Sequence, residues 1–311
     1  MTRFGDVLDL VRAPAVLTVL GDAVVGGSVA HGGLRGRGWL LPLASAAIYS
    51  GGMALNDYAD RRLDALERPE RPIPSGRIAP RTALGIAIGL EAVGVVLAAA
   101  GAGRRGALLA LPLVAAVVVY DTVAKPTAAG PVSMAVCRGL DVLLGARGSL
   151  RALPAALTVA THTVGVTALS RGEVDGGTAA DLGISLAATG AAAASIDAVV
   201  PGRGSVPAAV ESGSPGAGRA DASQAAALAR AGGALGAAAY LVSALPGQLA
   251  ALDDRTGPTV RDATRAGIGS VVPLQAALVA RSGAWASAVG LAALDVLRRR
   301  LTARRRRGDV T

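Results

Sequence analysis

Apolar stretches long enough to cross a lipid bilayer recur along almost the whole of this 311-residue chain. A helix needs about 20 mostly apolar residues to span roughly 30 Å of hydrocarbon, and its backbone satisfies its own hydrogen bonds there. Nine stretches fit this pattern: 14–31, 39–56, 82–101, 106–123, 131–146, 152–170, 179–200, 223–246 and 267–297. The connections between them are too short for a soluble domain. The pattern therefore predicts an all-α, polytopic membrane helical bundle that forms a single domain over residues 1–311.

The positions of the basic side chains predict how the bundle is oriented. The connection 57–81 holds six arginines, whereas 32–38 and 102–105 hold two each. Because basic connections stay on the cytoplasmic side, we expect 57–81 in the cytoplasm, with the N-terminus on the same side. Topology and contact with anionic lipid headgroups explain the formal net charge of +9, so we predict no nucleic-acid partner.

The C-terminal end of the chain leaves the number of crossings open. By alternation, three further connections face the cytoplasm: 124–130, 171–178 and 247–266. The Gly-, Ser- and Pro-rich stretch 201–222 reads as a flexible loop on the opposite side. Nine crossings would also leave the basic tail 298–311, with its seven arginines, outside. A hairpin within 267–297 would give ten crossings and a cytoplasmic tail, but halves of about 15 residues are short for spanning. We predict nine crossings, with ten as the alternative.

Asparagine and lysine each occur once in the chain, and both stand beside carboxylates at predicted membrane boundaries. Asn56 is followed by Asp60 and Asp64 at i, i+4 and i+8, which places the three on one face if the helix continues. Mg²⁺ accepts such oxygen ligands and completes its shell with water and phosphate oxygens. The spacing predicts these three residues as metal ligands that bridge to a diphosphate, with Asp57 as a further candidate. The alternative is a solvated helix end whose aspartates pair with arginines.

We call Asn56, Asp60 and Asp64 the acidic stripe, and basic side chains near it are candidate diphosphate ligands. Arg71 and Arg77 lie in a proline-stiffened loop, and arginine binds diphosphate oxygens through bidentate hydrogen bonds. The alternative is that they carry topological charge alone. Arg138 lies one turn inside an apolar stretch, and Asp141, three residues on, is its predicted partner. We expect this pair to line a cavity, although a purely structural pair is the alternative. The single cysteine, Cys137, excludes an intramolecular disulfide and a multi-cysteine metal site.

These motifs resemble those of a known family. The run from Asn56 to Asp64, followed by Arg-Pro-Ile-Pro-Ser-Gly-Arg-Ile, closely resembles the first signature of the UbiA superfamily of intramembrane prenyltransferases. The run Tyr120–Lys125 is similar to the tyrosine-and-lysine element that this superfamily carries after its fourth span. The stretches 125–140 and 170–177 resemble the EboC-like branch.

The resemblance implies a bundle of nine helices around a central cavity that opens to the cytoplasmic side and to lipid. Mg²⁺ would hold the diphosphate of a polyprenyl donor, while lysine and arginine neutralise the leaving group and an unidentified acceptor attacks the allylic cation. Tyr120 would stabilise that cation through its ring face, or it is an ordinary interfacial tyrosine. Carried over by position, the catalytic residues are Asp60, Asp64 and Lys125. The predicted substrate-binding residues are Asn56, Asp57, Arg71, Arg77, Tyr120, Arg138, Asp141 and Glu173.

The chain departs from the family in the second acidic motif, which is usually Asp-x-x-x-Asp after the sixth span. Here the region Ser170–Asp175 offers only Glu173 and Asp175, at i and i+2. Glu173 is the predicted ligand, and a second Mg²⁺ is in doubt. This departure favours an alternative function, a non-catalytic membrane protein that binds an isoprenoid or lipid diphosphate for transport or assembly. The intact first motif and Lys125 favour the enzyme.

Overall fold

The computed structural model describes residues 3–200 and 217–308, and the described residues form α-helices with short helical turns and no strands. The helices are α1 (Phe4–Leu10), α2 (Ala13–His31), α3 (Leu40–Ala59), α4 (Arg61–Glu67), α5 (Pro80–Val119), α6 (Gly130–Gly145), α7 (Leu153–Ser170), α8 (Ala179–Ser195), α9 (Ala217–Asp253), α10 (Gly257–Arg281) and α11 (Trp285–Gly308). Within the described part, six helical stretches are long and apolar enough to cross a membrane. The predicted all-α membrane bundle is confirmed, while the number of nine crossings stays a prediction.

Helix α5 is a helical hairpin. Its backbone leaves the helical region at Ala102 and Gly103, and Gly103 adopts a φ of 63° that favours glycine. A Cβ on Gly106 would overlap the carbonyl oxygen of Ala98, so the chain folds back on itself. The halves 80–101 and 104–119 therefore run antiparallel, close to the two stretches predicted from hydropathy.

The last part of the chain differs from its prediction. The expected span 267–297 is wrong, because α10 already begins at Gly257 and ends at Arg281, before a turn in which Gly283 has a φ of 84°. The expected connection 247–266 shrinks to 254–256. Helix α11 then reverses the direction of α10 and lies alongside α9, since Trp285 packs at Gly232 and the Arg299 guanidinium donates to Ser243 Oγ at 2.8 Å.

Because the chain reverses at this turn, the basic tail returns towards the end of the bundle where α9 ends. A hairpin within 267–297, the alternative to nine crossings, predicts this direction for the tail. Residues 309–311 lie outside the described part. The predicted loop 201–222 also falls outside it for residues 201–216, and α9 already begins at Ala217.

Small residues allow the helices that surround the site to approach closely. A Cβ on Gly26 of α2 would overlap the carbonyl oxygen of Val142 in α6, and one on Gly145 would overlap that of Ala23. Backbone contact through small residues is a common way for membrane helices to associate without a hydrophobic driving force. This contact fixes α2 against α6 and so positions the polar side chains that both helices carry into the bundle.

Hydrogen bonds join the connections at one end of the bundle. The Arg171 guanidinium donates to the carbonyl oxygen of Thr127 at 3.2 Å, and the Gly177 amide donates to that of Arg255 at 2.9 Å. Helices α3, α6, α7 and α10 each begin or end here, together with both ends of α5. We call this the loop end of the bundle.

Candidate active site

The helix carrying the acidic stripe continues across the break between α3 and α4. The Asp60 amide donates to the Asn56 carbonyl oxygen at 2.9 Å, and the Asp64 amide donates to that of Asp60 at 2.8 Å. These bonds have the i to i−4 spacing of an α-helix. Asn56, Asp60 and Asp64 therefore follow one another along one side of the chain at the loop end, as their spacing predicted.

A π-helical turn, Tyr120–Ala124, brings the single lysine to this stripe. The Lys125 amide donates to the Tyr120 carbonyl oxygen at 3.0 Å, five residues back, and the Lys125 ammonium group pairs with the Asp60 carboxylate. Asn56 Nδ2 donates to Asp121 Oδ1 at 3.0 Å. The Lys125 and Asp60 side chains remain 35% and 23% exposed, so this ion pair is accessible to a ligand. Turns of this type are frequent at functional sites.

Arg71 joins the other two aspartates. One of its guanidinium nitrogens donates to Asp64 Oδ2 at 2.7 Å and to Asp57 Oδ1 at 3.1 Å. Both carboxylates are only 4% exposed, so this arginine and its neighbours, rather than water, balance their charge. The structure thus divides the acidic stripe: Asp60 faces Lys125, while Asp64 is linked to Asp57 through Arg71.

Two residues of this site were missed in the sequence. Arg12 donates to Asp57 Oδ1 at 2.8 Å across 45 positions of sequence, and Asp121 accepts from Asn56. Arg12 has a φ of 46° at the start of α2, a conformation that is uncommon outside glycine. The only available signals were an arginine directly before the Ala-Pro start of an apolar stretch, and the position of Asp121 within the run Tyr120–Lys125.

A cavity opens beside these side chains. An apolar chamber of about 750 Å³ lies between α3, the second half of α5 and α6, with Ile48, Leu113 and Val117 in its wall. A more polar chamber of about 1120 Å³ extends towards α7 and α10. Both are lined by the same seven residues: Arg12, Tyr49, Asn56, Tyr120, Lys125, Met134 and Arg138. The two chambers therefore adjoin at the charged groups.

The predicted pairing of Arg138 with Asp141 is wrong. Arg138 Nε lies 2.7 Å from Asp22 Oδ2 on α2, while Asp141 accepts a hydrogen bond from Ser45. Gln275 Nε2 also donates to Asp22 Oδ1, at 2.7 Å. The close approach of α2 to α6 brings Asp22 within reach of the guanidinium, which sequence spacing alone does not reveal. Arg138 and Asp141 both line the apolar chamber, as predicted.

Arg77 lies apart from the other predicted ligands. Its guanidinium pairs with Asp6 and Asp9 of α1, at 3.0 Å each. The hydrogen bond from the Arg3 backbone amide, and after it the bond from Arg77, hold the pKa of Asp6 below its usual range. The bonds to Asp9 and Asp6 raise the pKa of Arg77. Arg77 therefore links α1 to the loop that carries Arg71.

Glu173 reaches the site from the opposite side. It lines the polar chamber, whereas Asp175 is exposed. Burial raises the pKa of the Glu173 carboxyl, and the nearby guanidinium groups of Arg68 and Arg261 oppose that rise. Only one carboxylate of the degenerate second motif therefore faces the cavity.

The side chains available as metal ligands limit how Mg²⁺ would bind. Within the part of the chain that the structure describes, no three His, Cys, Asp or Glu side chains lie close enough together to hold a metal ion. Asp60 and Asp64 pair with Lys125 and Arg71, which line the cavity, and Mg²⁺ is usually held by one or two carboxylates together with substrate phosphate oxygens. The residues therefore fit a Mg²⁺ ion shared with a diphosphate, and they do not form a closed protein cage.

Comparison with solved structures reveals the same fold. The chain is similar to a UbiA homolog from Aeropyrum pernix K1, with a TM-score of 0.61 and 19% identity over 85% of this chain and 96% of that one. It is also similar to a structure solved in work on digeranylgeranylglyceryl phosphate synthase in membranes, with a TM-score of 0.57 and 15% identity over 91% and 99% of the two chains.

Sequence relatives share shorter stretches. The digeranylgeranylglyceryl phosphate synthase of Methanopyrus kandleri is 43% identical over 27% of this chain and 29% of its own length. Those of Ignicoccus hospitalis and Natronomonas pharaonis are 41% and 35% identical, over 33% and 40% of this chain. The matched stretches span 34% and 45% of these two relatives, so the chain matches less than half of each curated relative.

The UbiA prenyltransferase family model matches residues 17–195, which is more than half of the chain. This stretch includes the acidic stripe, the π-helical turn and Glu173. The EboC-like branch stays a prediction, since the match is to the family as a whole. On the extent of this match, the chain belongs to the UbiA prenyltransferase family.

Proposed function

We propose that this membrane protein transfers a polyprenyl group from a polyprenyl diphosphate to an acceptor within the bilayer. One observation carries the proposal: Asp57, Asp60 and Asp64 pair with three cations, Arg12, Arg71 and Lys125, and two of these cations, Arg12 and Lys125, line an apolar cavity. A diphosphate with an apolar tail needs both of these environments side by side. Membership of the family and the similarity to named synthases support the same reaction.

The charged groups would bind the diphosphate and stabilise its departure. Lys125 and Arg71 are each held by a carboxylate, and Arg12 is held by Asp57, so all three are in place before substrate arrives. Such preorganised cations stabilise the charge that develops on a leaving group without further reorganisation. Asn56, Asp60 and Asp64 would hold Mg²⁺, which supplies additional neutralisation of the diphosphate when bound.

The apolar chamber would hold the prenyl chain and exclude water. Its wall next to the charges includes Tyr120, Met134 and Cys137. Tyr120 belongs to the turn that positions Lys125, so its ring lies near the expected site of C–O bond cleavage, where its face would stabilise an allylic cation. Arg138 and Asp141 line the same chamber and are proposed to contact substrate, whereas Arg77 would act only by holding the loop of Arg71.

The loop end of the bundle is proposed to face the cytoplasm. The six arginines of 57–81 lie at this end, and α11 directs the basic tail towards it. The positive-inside rule then gives one orientation for both clusters. The acceptor is unspecified. Because the relatives are named for synthesis of a phosphorylated glycerol lipid, such lipids are the first acceptors to test.

Release of pyrophosphate from geranylgeranyl diphosphate by the protein in lipid nanodiscs, with membrane extract as acceptor source, tests this proposal. We expect release that needs Mg²⁺, stops on addition of EDTA and is lost in Asp60→Ala. Asp175→Ala, an exposed carboxylate of the second motif, is the matched control and should retain release. Release that persists without divalent metal and in Asp60→Ala would contradict the proposal.

A second candidate function is binding of an isoprenoid or lipid diphosphate without turnover, in transport or assembly. The exposed position of Asp175, which leaves Glu173 as the one second-motif carboxylate at the cavity, favours it. Donor binding that depends on Lys125 but yields no pyrophosphate with any chain length would establish this alternative.

A further inference from the structure

A second basic recess lies at the end of the bundle opposite the candidate active site. It is a space of about 1200 Å³ lined by His31, Arg37, Gly103, Arg105, Arg147 and Ser149. These residues belong to the end of α2, the helical turn Gly36–Trp39, the turn within α5 and the connection from α6 to α7. Since α2 has 19 residues, the recess lies roughly 30 Å from Arg12 and the loop end.

The recess carries positive charge that carboxylates do not balance. In the described part of the chain, Arg37, Arg105 and Arg147 form no ion pair with an acidic side chain. The sequence has no Asp or Glu over 23–56 or 142–172, the stretches that contain two of these arginines. Arginines collected on one surface without counter-charges favour binding of an anion.

The backbone adds to this field. The second half of α5 begins after Gly103, and Gly103 and Arg105 both line the recess. The first amide groups of this helical half, and the positive end of its dipole, therefore lie at the recess. Phosphate groups are commonly bound at such helix ends.

Arg147 is held in an unusual position beside this space. Its φ of 52° is uncommon for a side chain with a Cβ, and its Nε is buried without a hydrogen-bond partner in the structure. One guanidinium nitrogen, Nη2, packs on Gly38, where a Cβ would lie within 2.7 Å of it. A buried donor without a hydrogen bond costs free energy, and an anion that accepted a hydrogen bond from Nε would remove that cost.

The recess also lies at the height of a membrane interface. Trp39 borders this end with 53% of its surface exposed, and the apolar side chains Leu43, Leu108 and Leu111 of the neighbouring helices are more than half exposed just below. Tryptophan is enriched at the level of lipid headgroups, and exposed apolar helix faces of this kind contact acyl chains. An anion bound here would lie where phospholipid phosphates lie.

We propose that this recess is a binding site for the phosphate group of an anionic lipid, separate from the prenyl-transfer site. A free phosphate ion offers the same chemistry, so the test includes both sources. The site would anchor a headgroup on the face opposite the loop end, and it does not depend on the proposed reaction.

Native mass spectrometry of the full-length protein in detergent, titrated with dioleoyl phosphatidic acid, measures this binding. We expect the variant R37Q/R105Q/R147Q to weaken one binding event by about tenfold or more, since charge-assisted contacts to phosphate are lost. The matched control R35Q/R104Q/R151Q removes the same charge from exposed arginines of the same face that do not line the recess. It should change that affinity by less than about twofold.

Two further arms make the result decisive. The variant R37Q/R105Q alters only exposed side chains, so it should weaken binding without disturbing the fold even if Arg147→Gln misfolds. Inorganic phosphate at millimolar concentration that displaces phosphatidic acid would identify the free ion as a ligand; failure to displace it would identify the lipid. Equal weakening by the recess and control variants, or none by either, would overturn the proposal.

Discussion

Replacing Arg71 with glutamine should destabilise the protein, because it leaves buried charge behind. Arg71 donates to Asp64 at 2.7 Å and to Asp57 at 3.1 Å, and both carboxylates are only 4% exposed. A hydrogen bond between charged groups contributes about 1.5–3 kcal/mol. The bond to Asp57 counts for less, since Arg12 still pairs with that carboxylate. We therefore expect a loss of about 3 kcal/mol, or a fall in melting temperature of about 6–12 °C.

The assay is thermal unfolding in detergent, followed by tryptophan fluorescence, with a double-mutant cycle. Asp64→Asn removes the carboxylate that Arg71→Gln leaves unpaired, so the double variant should be more stable than R71Q alone. Arg62→Gln, which replaces an exposed arginine next to the same stripe, is the control and should melt with the parent protein. The reasoning is refuted if R71Q melts with the parent, or if adding D64N lowers the melting temperature further.

Three more outcomes follow from the packing and charges of the site. Lys125→Met should reduce pyrophosphate release by about 10- to 100-fold, through loss of one charge-assisted contact, with little change in melting temperature; equal activity would remove Lys125 from the site. Gly26→Ala should cost about 1–3 kcal/mol, since its Cβ would overlap the backbone of α6, whereas Gly89→Ala meets open space and should melt no lower than the parent. Asp22→Asn removes the carboxylate that pairs with the buried Arg138 and should lower the melting temperature, and adding Arg138→Met should restore part of it; failure of that rescue would contradict the pairing.

Hydropathy predicted the spans well where polar residues lie between them, and poorly where polar residues lie within them. Residues 247–266 contain enough charge to read as a connection, yet most of them belong to α9 and α10. Gln248 and Thr264 are buried there, with Gln248 bonded to Ser185 and Thr189 and Thr264 bonded to a backbone carbonyl oxygen. Averaging over a window cannot show that a buried polar residue will find a hydrogen-bond partner, whether on a neighbouring helix, as for Gln248, or on its own, as for Thr264. The turn at Gly283 was visible in principle, since glycine after a terminal arginine is a common helix end.

The site shows a similar limit. Residues at helical spacing, Asn56, Asp60 and Asp64, were correctly placed on one continuous run because the relation is local. Contacts between distant elements were not accessible: Arg12 reaches Asp57 across 45 residues, and Asp22 takes the place predicted for Asp141. These pairings depend on which helices approach closely, and that is decided by small residues such as Gly26 rather than by the charged residues themselves.

The most direct test of prenyl transfer is to measure product and pyrophosphate together. The protein in nanodiscs would receive isotope-labelled geranylgeranyl diphosphate, Mg²⁺ and a membrane lipid extract, and labelled lipids would be quantified by mass spectrometry. We expect one new labelled lipid, formed in equal amount to the pyrophosphate released and absent in Asp60→Ala. Saturable binding of the labelled donor, with neither pyrophosphate nor labelled lipid above the level of Asp60→Ala, would contradict prenyl transfer and leave diphosphate binding as the function.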